Sequence, residues 1–336
     1  MIMILGDLHL GKNQDDSWVQ HIQLDAINQA IQLSKERNIT TWIQLGDIFD
    51  VRKHTSTKCL EFLKHIMSLI EASGIHMHTI VGNHDMFYKE QIHPNTATEL
   101  LSHYDFVTVH DKPTTVDING ISFDMIPWLC NENKEAIFKH IKNSDAEYCV
   151  GHWELSGFYF YKNVKSHGIE PDFLNHYKQV WSGHFHTQSK SRNVHYLGTP
   201  YTLTAGDEND PRGVWIFDCD SHKLEFMQNE HTWHQKITYP SQKDIDINIL
   251  KNKSVRCVVE QMDKDFTKFE SKLESVVHDL RIISSVETAD NTDDEEVEVK
   301  NILDLMTEYV EALDESDENK KQIDSYVKAL YVEATA

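Results

Sequence analysis

Apolar residues in the first 186 positions fall into short runs of strand length, and five of those runs end in glycine followed at once by polar side chains. They are Ile4-Leu5-Gly6-Asp7-Leu8-His9, Ile43-Gln44-Leu45-Gly46-Asp47, Thr79-Ile80-Val81-Gly82-Asn83-His84-Asp85, Cys149-Val150-Gly151-His152 and Val180-Trp181-Ser182-Gly183-His184-Phe185-His186. Each reads as a buried strand emptying into a tight turn, the glycine allowing the bend and a polar residue standing just past the strand end. Between the first three runs the period becomes helical. Trp18, Ile22, Leu24, Ile27, Ile31 and Leu33 mark a helix over Trp18–Arg37, and Leu60, Leu63, Ile66, Met67 and Ile70 mark another over Thr55–Ser73, with Gly74 as its stop. Strands at Thr41–Leu45 and Met77–Val81 complete a βαβαβ unit, whose right-handed crossovers make the strands parallel. A short helix, Thr96–His103, follows Pro94.

Beyond Phe106 the strands are shorter: Val107–His110, Thr114–Ile118, Ile121–Ile126, Tyr148–Val150, Gln179–Trp181, Val194–Leu197, Val214–Asp218 and Lys223–Gln228. Asn119-Gly120 between two of them is a hairpin signal. This pattern predicts a mixed α/β sandwich of two sheets rather than a pure doubly wound sheet. From about Tyr239 a smaller α+β unit follows, with a strand at Val255–Glu260, a helix at Phe266–Leu280 and a strand at Arg281–Val286. The segment Glu287–Lys300 is acidic and poor in apolar residues, as a solvated linker is. Two short amphipathic helices end the chain, one on Ile302, Leu305, Met306, Tyr309, Val310 and Leu313, the other on Ile323, Tyr326, Val327, Leu330 and Tyr331. Helices this short are marginal alone in water, so they must dock on something, and their acidic tether points to a partner chain. The domain boundaries expected are 1–235, 236–286, 287–300 and 301–336.

At 336 residues the chain exceeds one ordinary core, in keeping with that division. No apolar run reaches the roughly 20 residues that span a bilayer, and no basic leader precedes Met1-Ile2-Met3-Ile4-Leu5, so a cytoplasmic protein is expected. The five cysteines (59, 130, 149, 219 and 257) are odd in number and form no C-x-x-C pair, so neither a thiolate zinc site nor a disulfide framework is indicated. Net charge is −22, which weighs against a nucleic-acid partner. The charge is uneven, however: Ser284–Ala336 has 16 acidic and 4 basic residues, a net of −12, and leaves −10 for the preceding 283. Bound cations would offset part of the remainder locally.

Ligands gather at the carboxyl ends of strands in open α/β sheets. If the five glycine-terminated strands share a sheet, Asp7, His9, Asp47, Asn83, His152, His184 and His186 converge on one spot. A set of carboxylates, imidazoles and one amide oxygen without thiolate suits Mn²⁺, Mg²⁺, Fe²⁺ or Zn²⁺. Two such cations about 3.5–4 Å apart, bridged by a carboxylate, clamp a phosphoryl oxygen and activate water. Taken singly, each motif could be an ordinary turn; the set of five is what carries the chemistry.

The order Gly-Asp-x-His, Gly-Asp-x-x-Asp, Gly-Asn-His-Asp, Gly-His, Gly-His-x-His resembles the calcineurin-like metallophosphoesterases, and within them the SbcD-type DNA repair nucleases. Trp42 to Lys53 and Tyr196-Leu197-Gly198-Thr199-Pro200 extend the likeness, which covers essentially the whole chain. It implies a two-sheet metallophosphoesterase sandwich with a small α+β capping domain and a C-terminal helical tail. It implies one metal on Asp7, His9, Asp47 and His186 and a second on Asp47, Asn83, His152 and His184, with Mn²⁺ ahead of Mg²⁺. His84 would face substrate as proton donor or transition-state stabiliser, a role that suits imidazole, whose reference pKa is about 6.5. Some relatives carry a histidine where this chain has Asp50, which leaves Asp50 to orient His84. Asp85 would brace the turn.

The activity implied is a two-metal DNA nuclease, a 3′→5′ double-strand exonuclease and single-strand endonuclease, working in end processing with an SbcC-type coiled-coil ATPase. The tail would dock on that ATPase through Leu305, Tyr309, Leu313, Ile323, Val327 and Leu330. A homodimer through the 55–73 and 96–103 helices is also implied, with Leu60, Leu63 and Met67 either at that interface or in the core. The stretch Trp153–Phe173 joins aromatics to bases, including Tyr159, Tyr161, Lys162 and Lys165, and reads either as a single-strand contact or as a packed loop. Arg52, Lys53 and Lys89 follow the second and third motifs and are phosphate-contact candidates or solvated surface. His54, His93, His167 and His195 read as ordinary histidines. Two alternatives stand beside the nuclease. Protein phosphatases of the superfamily have Arg-Gly after the second motif and end the third in Glu, where this chain has Val51-Arg52 and Asp85. A silent scaffold subunit would lack ligands, and all seven are here.

Overall fold

The computed structural model describes residues 1–161, 164–284, 302–311, 313 and 315–335. The chain separates into two compact units, Met1–Tyr201 with Arg212–Asn229, and Thr202–Pro211 with Glu230–Ala336. In chain order the strands of the first unit are β1 (Ile2–Leu5), β2 (Thr41–Gln44), β3 (His76–Ile80), β4 (Met86–Tyr88), β5 (Gln91–Asn95), β6 (Val107–His110), β7 (Thr114–Ile118), β8 (Ile121–Ile126) and β9 (Tyr148–His152). They continue with β10 (Tyr159–Tyr161), β11 (Val164–Lys165), β12 (Gln179–Gly183), β13 (Ser189–Ser191), β14 (Val194–Tyr196), β15 (Gly213–Asp218) and β16 (Lys223–Gln228).

Among the described residues these strands build two six-stranded sheets, ordered β16-β15-β1-β2-β3-β6 and β13-β14-β12-β9-β8-β7. The βαβαβ unit is parallel, with Leu5 beside Gln44 and Gln44 beside Thr79. The five glycine-terminated strands do not share one sheet. β1, β2 and β3 lie in the first, while β9 and β12 lie in the second, parallel and in register with Gly183 beside His152. What unites them is the face between the sheets. Ile2, Ile4, Ile43, Ile80 and Phe217 from one sheet meet Phe123, Tyr148, Val150 and Trp181 from the other in a single core, all nearly inaccessible to solvent. Burying side chains of this size contributes roughly 1.5–3 kcal/mol each, so the sandwich, not local propensity, fixes the relation between the two sets of strand ends.

The helices obey their caps. Ser17–Arg37 starts at Asp16, whose carboxylate accepts from the amides of Trp18 and Val19, and ends at Asn38 in the left-handed region. Thr57–Ala72 starts at Ser56, whose hydroxyl accepts from the Cys59 amide. Thr96–Leu101 is capped by Asn95. Leu63 and Met67 are each 2% exposed and belong to the chain's own core, so only Leu60 of that trio reaches an outer face. A helix at Lys134–Asn143 and the hairpin of β4 and β5 were not apparent in the apolar pattern, being short and mostly polar outside Ile137 and Ile141. All five cysteines are free and buried.

The second unit has a three-stranded parallel sheet, β17 (His234–Tyr239), β18 (Ser254–Val259) and β19 (Asp279–Ser284), with β18 central and a helix at Phe266–Glu274. The helix is shorter than expected because its buried face stops at Leu273. Leu280 and Ile282 instead alternate with exposed Asp279 and Arg281, the two-residue period of a strand packed on one side. The tail forms helices Ile302–Glu311 and Asp317–Thr335, which pack on each other. Tyr309, Tyr326 and Leu330 are exposed there, while Val310 is buried. The linker Glu287–Lys300 lies outside the described residues. Among the described residues no helix is long and apolar enough to cross a membrane.

Candidate metal centre

All seven side chains singled out by the motifs meet at the carboxyl ends of β1, β2, β3, β9 and β12. Two glycines are required by how closely the loops approach one another. A side chain at Gly82 would strike the carboxylate and amide of Asp47, and one at Gly183 would strike Asp7 Oδ1. The loops after β1 and β2 run alongside each other, the amides of Leu8 and His9 donating to the Asp47 carbonyl and the Leu10 amide to that of Ile48. His9, Asp47 and His184 all have positive φ, 47°, 51° and 79°. A left-handed conformation costs a non-glycine residue about 1–2 kcal/mol, and three such residues in one site is strain of the kind that functional geometry sustains.

Two polar residues hold the loops in place. Asp85 Oδ2 accepts from the amides of Asp47 and Gly82, both at 2.9 Å, and Oδ1 from Phe49 at 3.2 Å, so this carboxylate braces the turn. Gln44, wholly buried in an apolar strand, donates to the carbonyls of Gly6 and Gly46 and accepts from the Gly46 amide and the Thr79 hydroxyl. Sequence reasoning passed over Gln44, although an amide inside Trp42-Ile43-Gln44-Leu45 was a visible signal. It also passed over Trp128, which stands edge-on to His184 and His152 at 4.9 and 5.8 Å between ring centroids and is tied to β3 by its amide bond to the Val81 carbonyl.

The donors fall into three overlapping groups, Asp7, His9 and His186, then Asp47, His152 and His184, and a third in which His9 is joined by Asp50 and His84; the first two contain the motif side chains alone. In the second, His152 Nδ1 lies 2.6 Å from the Leu45 carbonyl, which can only accept, so Nδ1 carries the hydrogen and the neutral ring offers a lone pair at Nε2. That Nε2 faces Asn83 Oδ1 at 3.0 Å and Asp47 Oδ2 at 3.2 Å. In the first group the two Nε2 atoms of His9 and His186 face each other at 3.0 Å, with Asp7 Oδ2 at 4.0 and 3.6 Å. Asp47 Oδ2 lies between the groups, 3.9 Å from His9 Nε2, and finds no hydrogen-bond donor among the described residues. Carboxylate, amide and imidazole ligand atoms gathered this closely in a buried site suit a positive charge between them, and such oxygen and nitrogen donors fit a divalent cation in each of these two groups.

The electrostatics agree. Burial pushes the Asp7 carboxyl up and holds His9, His184 and His186 neutral by lowering them. Burial opposes the charged forms of Asp47 and His152 as well, but their mutual attraction outweighs it, lowering Asp47 and raising His152.

Asp50 meets His84, through its main chain: the carbonyl lies 2.7 Å from His84 Nδ1. The Asp50 carboxylate is instead 3.2 Å from His9 Nδ1, off the ideal hydrogen-bond line. The His84 amide donates to Asp47 Oδ1 at 2.7 Å. Of the basic candidates, Lys53 and Lys89 are exposed and Arg52 is half-buried. Tyr159 is 41% exposed on the β10–β11 hairpin, with Lys165 Nζ 5.4 Å from its ring centroid. Tyr161 is on the same hairpin, and Lys162 lies outside the described residues. His54, His93 and His167 are exposed and His195 is half-buried.

Two sheets that deliver paired oxygen and nitrogen donors to one edge define a metal-dependent phosphoesterase, and residues 1–188 match the calcineurin-like phosphoesterase family, to which the chain belongs. The chain is also 55% identical, over 336 residues and 99% of each protein, to exonuclease subunit 1 of Enterobacteria phage T4. Among solved structures, GAP50, the anchor in the inner membrane complex of Plasmodium, aligns with a TM-score of 0.37 at 10% identity, over 87% of this chain and 98% of that one, too distant a likeness to bear on function.

Proposed function

We propose that this protein is the nuclease subunit of an ATPase–nuclease complex that processes DNA ends, cleaving phosphodiesters with two divalent cations, Mn²⁺ foremost. The observation that carries the reading is Asp47 Oδ2, enclosed without a hydrogen-bond donor among the described residues and shared between two groups of ligand atoms. Asp7, His9, Asp47 and His186 would hold one cation, and Asp47, Asn83, His152 and His184 the other. Cations bound there would neutralise the phosphate and make a water nucleophilic.

The remaining work falls to the chain's own groups. His84 Nδ1, facing a carbonyl, carries a hydrogen and leaves Nε2 to exchange a proton with the phosphate or its leaving oxygen. Leu45 and Asp50 fix the rings of His152 and His9 from behind, so neither ligand reorients during turnover. Trp128 walls the second group, limiting water around the imidazoles.

DNA as substrate is supported by the 55% identity to an exonuclease subunit and by the exposed Tyr159–Lys165 pair, which suits base stacking beside a phosphate. Arg52, Lys53, Lys89, Tyr161 and Lys162 are assigned to the same path. An SbcC-type coiled-coil ATPase is the partner assigned to the tail, whose Tyr309, Tyr326 and Leu330 are exposed. The boundaries 1–235, 236–286, 287–300 and 301–336 are kept as nuclease, capping, linker and docking segments, and Leu60 marks the dimer face. The test is end-labelled duplex and single-stranded DNA, with and without the ATPase, in Mn²⁺ or Mg²⁺. Shortening from 3′ ends in duplex and internal cuts in single strands are expected. No cleavage in any combination, together with turnover of a phosphopeptide, overturns the reading in favour of a phosphatase.

A further inference from the structure

One buried cation beside the metal centre has no part in the scheme above. Lys12 is 2% exposed, and its Nζ lies 3.8 Å from Asp50 Oδ1. That same oxygen is 3.2 Å from His9 Nδ1. Asp50 therefore addresses two imidazoles, His9 by its carboxylate and His84 by its carbonyl, and Lys12 is the counter-charge on the first of these contacts.

The backbone takes an unusual path to bring Lys12 inside. Gly11 before it has φ 93°, and after it Asn13, Gln14 and Asp15 have φ 52°, 58° and 62°, three consecutive left-handed residues that all carry side chains. Left-handed backbone disfavours side chains, and normally appears one residue at a time. This run is anchored at both ends. Asp15 Oδ2 accepts from Ser56 Oγ and the Asp15 carbonyl from Lys58 Nζ, both at 2.5 Å, while Gln23 Nε2 donates to the carbonyls of Leu8 and His9. A surface lysine would need none of this.

We propose that Lys12 is a positioning residue for the cation site of Asp7, His9 and His186. Its charge holds the Asp50 carboxylate against His9 Nδ1, so that His9 Nε2 is presented to Asp7 and His186. The inference rests on the two-cation reading of the centre and deepens it: the site extends beyond its ligands to a buried ammonium delivered by a left-handed turn.

The test is calorimetric titration of the full chain with Mn²⁺, alongside melting of the metal-free protein, for wild type, Lys12→Met, Lys12→Arg, Asp50→Ala and the Lys12→Met/Asp50→Ala double variant. Wild type should bind two ions. Lys12→Met should weaken one of them roughly 10–100-fold and leave the other unchanged, the scale on which groups behind metal ligands act. Lys12→Arg should recover most of the loss. Asp50→Ala should weaken the same ion, and the double variant should be no worse than Asp50→Ala alone, because both changes break one contact chain. Losses that multiply in the double variant, or wild-type affinity for both ions in Lys12→Met, overturn the proposal. Lys12→Gln serves the same comparison if the methionine variant does not fold. A wild-type chain that binds fewer than two Mn²⁺ overturns the two-cation reading itself, whatever the variants do.

Discussion

Two pairs of histidines in the first unit look alike by distance and differ in what they can do. His9 and His186 bring Nε2 atoms to 3.0 Å with rings crossed at 73° and centroids 4.9 Å apart. His78 and His110, on β3 and β6, bring Nδ1 and Nε2 to 3.1 Å with rings within 13° of parallel and centroids 5.4 Å apart. The second geometry is that of two rings nearly in one plane joined by a straight N–H···N bond, since 5.4 Å is about the nitrogen separation plus two ring radii. One ring donates, the other accepts, and the pair is closed. In the first pair the rings cross, and the two facing nitrogens have the carboxylates of Asp7 and Asp47 within 4.0 Å. Ring orientation and a neighbouring carboxylate, not the presence of histidines, separate a ligand set from a hydrogen bond.

The most severe way to break the contrast is at the shared carboxylate. Asp47→Ala should cut phosphodiester turnover by about 10³-fold or more, the cost of losing the charge stabilisation that the two proposed cations would provide. His110→Ala, by contrast, should leave turnover within about three-fold, the two sites being separate. Turnover of a chromogenic phosphodiester under Mn²⁺ measures both, and equal losses would abolish the distinction. Next in size is His84→Asn, expected to lower turnover by about 10²-fold or more while calorimetry finds Mn²⁺ binding nearly intact; loss of both together would move His84 into the ligand set. Third, Mn²⁺ at about 100 times its dissociation constant should stabilise the fold by about 2.7 kcal/mol per cation. Thermal melting should show that shift in His110→Gln and not in Asp47→Ala.

The smallest effect belongs to the closed pair. Burial, with a contribution from neighbouring His76, lowers His78 to about 4, and burial with neighbouring His78 and His76 lowers His110 to about 4. The folded state thus holds both neutral, while the unfolded chain takes up protons near the reference value of about 6.5. The stability they contribute is present above about pH 6.5 and is lost as pH falls from there toward 4. With His78 partly exposed the pair should account for on the order of 1–2 kcal/mol. Urea unfolding at pH 7 and pH 5 should show a smaller difference in His78→Asn/His110→Asn than in wild type, and an unchanged difference would mean that the pair titrates normally.

The strand ends were legible because a glycine after an apolar run, followed by Asp, Asn or His, is a local pattern with a local cause. The seven candidate ligands could therefore be named from spacing. How they are shared out could not, since β1, β2 and β3 deliver theirs from one sheet and β9 and β12 from the other, a matter of strand order that no window of residues contains. Leu63 and Met67 have the same amphipathic signature whether a helix faces its own core or a partner. Asp50 shows another limit: its sequence position promised a contact with His84, and that contact is made by the carbonyl, an atom every residue has. The left-handed turn carrying Lys12 was invisible for a related reason: the bonds beside it, from Ser56 and Lys58 to Asp15 and from Gln23 to Leu8 and His9, come from distant positions in the chain.

Because the donors come from both sheets, the packed layer between them acts as a spacer gauge. Phe123, Tyr148, Trp181 and Phe217 set how far one set of strand ends stands from the other. Trimming one of those rings would let the jaws creep by a fraction of an ångström, and the change would be felt first as a different metal preference. Residues that never see solvent would then be the dials by which this enzyme is tuned from one cation to another.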